Sequence, residues 1–229
     1  RQQQLVVPTH YLPSITIQPR ILSRLVQPHR VATILQHLEP IGRPTNLRRF
    51  HPTVQSQHTN NMASNDTQLA TFAAGCFWSV ELIYQREPGV LTTEVGYTGG
   101  HKENPTYKET CTGTTGHAEA VRIQFDPKQV TYQRLLDIFW NKHDPTTKDR
   151  QGGDVGSQYR SAIFYHDDNQ KQLAEAGVAA ETKRLGKQVV TEVVPAGKWW
   201  KAEDYHQRYL EKGGQCARKG DKTPIRCYG

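Results

Sequence analysis

An alternation of short apolar strands and amphipathic helices, beginning near residue 68, limits the fold more than any other feature. Residues 68–74 and 118–126 are predicted to be strands, and residues 77–87 and 130–143 space their apolar side chains along one helical face. The predicted order is β-α-β-β-α-β-α-β-α, with two strands joined only by a loop. Because parallel neighbours need a long crossover, this order predicts a mixed or antiparallel sheet with helices packed on it, an α+β two-layer α/β sandwich.

The first 61 residues differ in composition from the rest of the chain. They hold seven prolines, seven arginines and a single acidic residue, Glu39. Proline interrupts helices, and an Arg-rich, acid-poor N-terminal stretch is typical of an organelle transit peptide. We expect residues 1–61 to be either a mitochondrial transit peptide or a disordered leader, and residues 62–229 to be a single domain. Met62 is the only methionine, and translation from it would give a cytoplasmic form without the leader.

Charge and cysteine content exclude several classes of function. The net charge of +7 comes almost wholly from residues 1–61, because residues 62–229 hold 22 basic and 21 acidic residues. This body lacks the basic face of a nucleic-acid-binding protein, and no apolar run approaches the roughly 18 residues of a membrane helix. The four cysteines are too few for a secreted disulfide framework and lack zinc-site spacing. We therefore expect working thiols in a reducing compartment and no metal.

The stretch "TFAAGCFWSVE" places Cys76 where a predicted strand ends and a helix begins. Backbone N–H groups and the helix dipole favour an anion at such a point, so this cysteine would have a lowered pKa and act as a nucleophile. Two large apolar residues, Phe77 and Trp78, follow directly. The alternative is a buried core cysteine without a chemical role, and this stretch alone leaves both interpretations open.

Glu119 lies on the otherwise apolar face of a predicted strand, with Val121 and Ile123 at alternate positions. Burial raises the pKa of a carboxyl, so this side chain could hold a proton near neutral pH and act as a general acid. The alternative is a glutamate on an edge strand, paired with a lysine or arginine. His117, just before the strand, is predicted to form backbone hydrogen bonds in a turn.

Two predicted loops carry further polar groups. The Gly-rich stretch "GGDVGSQYRSAIF" holds Asp154 and Tyr159 ahead of a strand, and site residues are common on such loops. Tyr107 lies in the other loop, and the phenols of Tyr107 and Tyr159 could each donate a hydrogen bond into a pocket. For each tyrosine the alternative is a packing role with a satisfied hydroxyl.

The C-terminal end combines a predicted short helix over residues 202–214 with a polar tail that contains Cys216 and Cys227. We expect the tail, residues 211–229, to be mobile and its thiols to be accessible. A mobile thiol that reaches a reactive cysteine is what a resolving cysteine requires. Two inert surface thiols, or a disulfide between them, are the alternatives.

Five motifs, "GCFWSVE", "YKETCTGTTGHAEAV", "GGDVGSQYRSAIFY", "WKAEDYHQRYL" and "PIRCYG", together resemble the type A peptide methionine sulfoxide reductases. They occur in the order of that family within residues 68–229. The resemblance implies a catalytic domain with a ferredoxin-like mixed sheet and a long coiled C-terminal segment. It implies reduction of methionine S-sulfoxide, free or in proteins, to methionine, with no bound cofactor and with thioredoxin as the reductant. We also expect a monomer.

The resemblance assigns chemical roles to five side chains. Cys76 would attack the sulfoxide sulfur and become a sulfenic acid. Glu119 would protonate the departing oxygen, helped by hydrogen bonds from Tyr107 and Tyr159. Cys227, in the matching C-terminal motif, would be the resolving cysteine that condenses with Cys76 to a disulfide.

The resemblance also assigns contacts with the substrate. Phe77 and Trp78 would form the apolar wall for the substrate's S-methyl group, and Asp154 would bind its polar main-chain part. Relatives often carry a further tail cysteine where this chain has "GDKTPIR", whereas Cys216 stands further upstream. A second resolving step through Cys216 is therefore left open. Cys111 is expected to be structural.

Two other functions stay open. A general thiol peroxidase or disulfide oxidoreductase would share the cycle of Cys76 and Cys227 but would not need Glu119 or the aromatic wall. A catalytically silent module would recognise oxidised methionine without reducing it.

Overall fold

The computed structural model describes residues 67–227, so the predictions for residues 1–61 and for a start at Met62 lie outside the described part. Within it, no helix is both long enough and apolar enough to cross a membrane. The helices are α1 Phe77–Gln85, α2 Tyr107–Cys111, α3 Tyr132–Lys142, α4 Asp168–Leu185 and α5 Tyr209–Lys212. The strands are β1 Gln68–Ala74, β2 Val90–Thr98, β3 Ala118–Phe125, β4 Arg150–Gln151, β5 Asp154–Val155, β6 Ser161–Tyr165, β7 Glu192–Pro195 and β8 Trp200–Lys201.

Strands β1, β2, β3, β6, β7 and β8 form one mixed sheet, while β4 and β5 form a small hairpin. The order in the large sheet is β7-β6-β1-β3-β2-β8. Only β6 and β7 are parallel, and the other neighbours are antiparallel. Strand β3 is central, with Val121 opposite Phe72 of β1 on one side and Val95 of β2 on the other. The predicted mixed sheet and the α+β class are confirmed.

The two faces of the large sheet are built differently. Side chains alternate along a strand, so Phe72, Val121 and Ile123 share the face on which the helices pack, and all three are fully buried. Phe72 stacks on Tyr84 of α1 at 5.5 Å and on Phe139 of α3 at 5.4 Å. The opposite face holds small residues and one ring, with Trp199 packed against them: Ala73, Ala118, Ala120, Ala162 and Phe164. Residues of β3 that lie two positions from Val121 therefore point toward the helices that pack on this face.

The helix predicted over residues 202–214 is wrong for most of its length, because only Tyr209–Lys212 is helical. Arg208 adopts a left-handed conformation with φ of 56°, and its backbone N–H donates to the carboxylate of Glu81 in α1 at 2.7 Å. The Gln207 side chain accepts from the N–H of Val95 and donates to its carbonyl, both at 2.9 Å. These bonds to the sheet and to α1 take the place of helical hydrogen bonds.

Helices α2 and α3 each begin with a side-chain cap. The predicted loop 104–117 contains α2, which begins with a capping box: Thr106 accepts from the Glu109 N–H, and the Glu109 carboxylate accepts from the Thr106 N–H. The predicted cap of α3 is confirmed, because the Thr131 hydroxyl accepts from the N–H of Arg134 at 3.2 Å.

The turn between β1 and α1 depends on Gly75. Its φ is +86°, a left-handed conformation that side chains with a Cβ disfavour. A Cβ added there would lie 2.7 Å from Cβ of Gln151 and 2.8 Å from its Cγ. Glycine therefore allows both the sharp turn and the close approach of Gln151 in strand β4.

We expect Gly75→Ala to lower the free energy of unfolding by about 2–4 kcal/mol, since backbone strain and overpacking add. Gly152→Ala is the matched control, because Gly152 also has a positive φ (58°) but has no heavy atom within 4 Å of the added Cβ. It should cost only about 1 kcal/mol of backbone strain. Urea unfolding of both variants measures the difference, and equal losses would contradict a role for the contact with Gln151.

Candidate active site

Cys76 is half-buried at the turn between β1 and α1, in the N-cap position of the helix. Its φ and ψ of −51° and 116° are not helical, which lets its side chain leave the helix axis. The helix behind it is anchored by buried apolar residues, among them Val80, Leu82 and Tyr84. The predicted location of Cys76, between a strand end and a helix start, is confirmed.

Glu119 lies directly against the start of this helix. Its Oε2 accepts a hydrogen bond from the backbone N–H of Phe77 at 3.1 Å, and the side chain is 2% exposed. Because β3 is central in the sheet, the alternative of an edge position is wrong. Burial raises the pKa of Glu119 to about 8, with a smaller rise from Asp154, while the Phe77 N–H acts in the opposite direction. The carboxyl is thus mostly protonated at neutral pH.

The pKa of Cys76 differs from the sequence-based expectation. Burial, and next the charge of Glu119, raise the pKa of this thiol to about 12, although the Trp78 N–H at the helix start lowers it. The expectation of a lowered pKa for Cys76 is therefore wrong. One N–H group and the dipole of a nine-residue helix do not offset the loss of water together with a neighbouring carboxyl.

Tyr107 and Tyr159 come to the same place from two different elements. Tyr107 begins α2, and its backbone N–H donates to Glu203 at 2.9 Å. Tyr159 ends the short 3₁₀ helix Ser157–Tyr159, which the buried Arg160 supports by donating to the carbonyl of Ser157 at 2.9 Å. Burial raises the pKa of both phenols, followed by the hydrogen bond with Cys111 for Tyr107 and by the charge of Glu119 for Tyr159, so both remain protonated.

An aromatic cluster borders Cys76. Phe77 is 1% exposed, while Trp78 is half-buried and stacks on Tyr209 with ring centres 3.9 Å apart. The Trp78 Nε1–H donates to Nδ1 of the buried His206 at 3.0 Å. The His206 ring also lies 5.3 Å from Phe77 and 4.3 Å from Tyr107. The indole is thus held by a stacked ring on one face and by a hydrogen bond at its edge.

Glu203 and His206 are functional neighbours to which the sequence reasoning assigned no role. Glu203 accepts from the Tyr97 hydroxyl and from the Tyr107 N–H, both at 2.9 Å, and so connects β2 to α2. Both residues lie in the motif "WKAEDYHQRYL". Their polar side chains in that motif were the signal that the sequence offered. The predicted helix over residues 202–214 would have given both side chains a different direction.

Asp154 enters the site from the small hairpin, as the first residue of β5. It is half-buried, and its charge contributes to the raised pKa of Cys76, Glu119 and Tyr159. The structure therefore brings Asp154 together with Cys76, Glu119 and Tyr159. The turn role predicted for His117 is also confirmed, because its ring bonds the Gly100 N–H and the Lys102 carbonyl.

The two tail thiols stand at different places. Cys227 is half-buried and lies close enough to Cys76 to be among the groups that raise the pKa of the Cys76 thiol. It borders an open cavity of about 710 Å³ that Trp78 and Tyr209 also line. Cys216 is exposed, and it is not among the groups that shift the pKa of Cys76. Cys111 is exposed on α2, and its hydrogen bond with the Tyr107 hydroxyl raises the pKa of that phenol.

A thiol at a helix start, beside a buried acid and two phenols, is the arrangement of a thiol-dependent oxidoreductase. A model of the peptide methionine sulfoxide reductase family matches residues 68–225. The chain belongs to this family, and several of the relatives that it matches are named as type A reductases.

Among these relatives, peptide methionine sulfoxide reductase A4, chloroplastic, from Arabidopsis thaliana is 57% identical over 175 residues, which are 74% of this chain and 68% of that protein. Peptide methionine sulfoxide reductase A2-1 from Oryza sativa subsp. japonica is 57% identical over 167 residues, 73% of this chain and 89% of that protein. The solved structure of methionine sulfoxide reductase A of Corynebacterium diphtheriae has a TM-score of 0.60 at 39% identity, covering 70% of this chain and 82% of that one.

Alkylation rates test the raised pKa of the Cys76 thiol. Iodoacetamide reacts with the thiolate, so at pH 7 we expect Cys76 to be modified at least about tenfold more slowly than the exposed Cys216. The rate at Cys76 should still increase above pH 10, and Glu119→Gln should accelerate it at pH 9. Peptide mapping by mass spectrometry measures each site, and a rate at Cys76 that levels off near pH 6 would contradict the account.

Proposed function

We propose that this chain reduces methionine S-sulfoxide, free or in proteins, with Cys76 as the nucleophile and Glu119 as the general acid. One observation carries the proposal. The buried carboxyl of Glu119 stays protonated near neutral pH and accepts from the N–H of Phe77, the residue directly after the half-buried Cys76. A sulfoxide oxygen leaves poorly until it is protonated, and a neutral carboxylic acid supplies that proton.

The reacting groups start as a neutral pair, because burial raises the pKa of both Cys76 and Glu119. The Cys76 sulfur forms a bond to the sulfoxide sulfur while the Glu119 proton moves to the sulfoxide oxygen. The resulting carboxylate then takes up the thiol proton, so no net charge accumulates in the buried site. The hydroxyl then moves from the substrate sulfur to the Cys76 sulfur while the new sulfur–sulfur bond breaks, so methionine leaves, Cys76 becomes a sulfenic acid and Glu119 is protonated again.

The remaining side chains orient the substrate in this scheme. Tyr107 and Tyr159 donate hydrogen bonds to the oxygen as it gains negative charge. Phe77 and Trp78 give the S-methyl group an apolar contact, and His206 holds the indole of Trp78 in place. Asp154 accepts hydrogen bonds from the polar main-chain part of the substrate.

Recycling requires a second thiol. The Cys227 thiol condenses with the sulfenic acid to give a disulfide between Cys76 and Cys227 and one water molecule. The support is the location of Cys227 beside Trp78 and within the electrostatic reach of Cys76. Thioredoxin then reduces the disulfide by exchange, either directly or after transfer to Cys216. We also propose that the chain works as a monomer.

For residues 1–61 we propose an organelle transit peptide, on the basis of their Arg-rich, acid-poor composition. The name of the Arabidopsis relative adds the chloroplast to the mitochondrion as a destination. N-terminal sequencing of the native protein tests this idea: a mature form cleaved at a position other than Met62 or Ala63 is expected, and finding Met62 or Ala63 as the first residue of all the material would contradict import by residues 1–61.

The pH dependence of a single turnover tests the role of Glu119. The acid form is lost as pH rises through its pKa of about 8, so the rate of methionine formation from the S-epimer should fall above that pH. Glu119→Gln should slow this step by about 10²–10⁴-fold, since the amide keeps the acceptor for Phe77 but has no acidic proton.

Glu175→Gln, which changes an exposed glutamate on α4, is the control and should keep the wild-type rate. The R-epimer should react far more slowly than the S-epimer. An unchanged rate in Glu119→Gln would contradict the proposal. Peroxide reduction that is faster than sulfoxide reduction and independent of Glu119 would instead indicate a thiol peroxidase.

A further inference from the structure

Arg86 connects the helix that carries the nucleophile to the segment that carries the tail thiols. Cys76 precedes the first residue of α1, and Arg86 follows its last residue. The buried guanidinium donates from Nε to the carbonyl of Cys216 at 2.8 Å and from Nη1 to the carbonyl of Thr223 at 2.6 Å. It also donates from Nη2 to the Thr223 hydroxyl at 3.2 Å. One side chain thus holds two points of the tail.

Further contacts of the same helix end hold the middle of the tail. The Arg86 carbonyl accepts from the N–H of Gly220 at 2.7 Å, and the guanidinium pairs with Asp221 at 3.7 Å, each of these two side chains being 6% exposed. Lys219 donates to the carbonyl of Val90 at 2.7 Å. Water cannot take the place of this many partners of a buried charged group without a large cost in free energy.

A second contact closes the segment between the two thiols into a loop. The Gln215 amide donates to the carbonyl of Arg226 at 2.5 Å and accepts from its N–H at 3.0 Å. Gln215 and Arg226 directly precede Cys216 and Cys227. The two thiols therefore stand at the two ends of one loop, and Arg86 holds that loop from inside.

We propose that Arg86 is a positioning residue for disulfide formation, holding the loop between Cys216 and Cys227 so that the Cys227 thiol stays near Cys76. This inference rests on the proposed function, in which the Cys76 sulfenic acid and the Cys227 thiol give a disulfide and water. The rate of that step follows the local concentration of one sulfur around the other. A loop held at Thr223, four residues before Cys227, limits the volume that this thiol explores.

The methionine-forming step does not involve the loop, so the two steps should respond differently to a change at Arg86. With one equivalent of sulfoxide and no thioredoxin, Arg86→Gln should form methionine at the wild-type rate. Formation of the disulfide between Cys76 and Cys227, followed by quenching and mass spectrometry, should slow about three- to tenfold because the local thiol concentration falls. Turnover with thioredoxin should then become limited by the disulfide step.

Arg86→Lys should be intermediate, because lysine keeps the charge beside Asp221 but cannot bond the Cys216 and Thr223 carbonyls through one planar fork. Arg134→Gln is the matched control: Arg134 lies nearby, pairs with Glu87 at 2.8 Å and should leave both steps unchanged. Rates are normalised to the methionine formed per chain, which counts folded protein. If Arg86→Gln does not fold, Arg86→Lys carries the test, and a wild-type disulfide rate in it would overturn the proposal.

Cys227→Ser separates failure of this inference from failure of the proposed function. It should form one methionine per chain and then stop. If it stops but Arg86→Gln forms the disulfide at the wild-type rate, the inference about Arg86 is wrong and the proposed function stands. If Cys227→Ser turns over fully with thioredoxin, the proposed recycling is wrong. Equal slowing of methionine and disulfide formation in Arg86→Gln would show a general structural role and would also overturn the inference.

Discussion

The hydrogen bond from the Phe77 N–H to Glu119 is the contact on which the site depends. It joins the first turn of α1 to the central strand of the sheet, so Glu119 and Cys76 share one rigid frame. The strand supplies burial, which keeps the carboxyl protonated, and the helix start supplies the thiol one residue away. Neither group would have its chemical properties without the other element, because an edge glutamate would be ionised and a free helix start would not confine the thiol.

The surroundings of this bond keep the thiol, the glutamate and the two phenols of the site protonated. Both Cys76 and Glu119 are held in their neutral forms, and Tyr107 and Tyr159 remain protonated beside them. A thiol with a raised pKa reacts slowly with adventitious electrophiles. In the proposed function, a sulfoxide brings an oxygen that can take the Glu119 proton, so the substrate itself starts the reaction. Under that proposal, selectivity comes from proton transfer as well as from shape.

Much of the fold and part of the site could be predicted because the deciding information is local. The alternation along β3 placed Glu119 on the same face as Val121, and burial of that face raises its pKa. Thr131 marked the start of α3 through its own hydrogen bond. The predictions failed where distant contacts decide. Residues 202–208 are not helical because Glu81 and β2 bind their backbone and side chains. The thiol pKa of Cys76 rises through burial that the local sequence does not show.

The account rests on a protonated Glu119, and a site-specific carbon-13 NMR titration of its carboxyl carbon measures that state directly. Assignment by comparison with Glu119→Gln isolates the resonance. The account predicts a chemical shift of the protonated form at pH 6–7 and a midpoint near pH 8. A midpoint near the ordinary glutamate value of about 4.3 would mean that the carboxyl is ionised when substrate arrives, and would contradict its role as the proton donor.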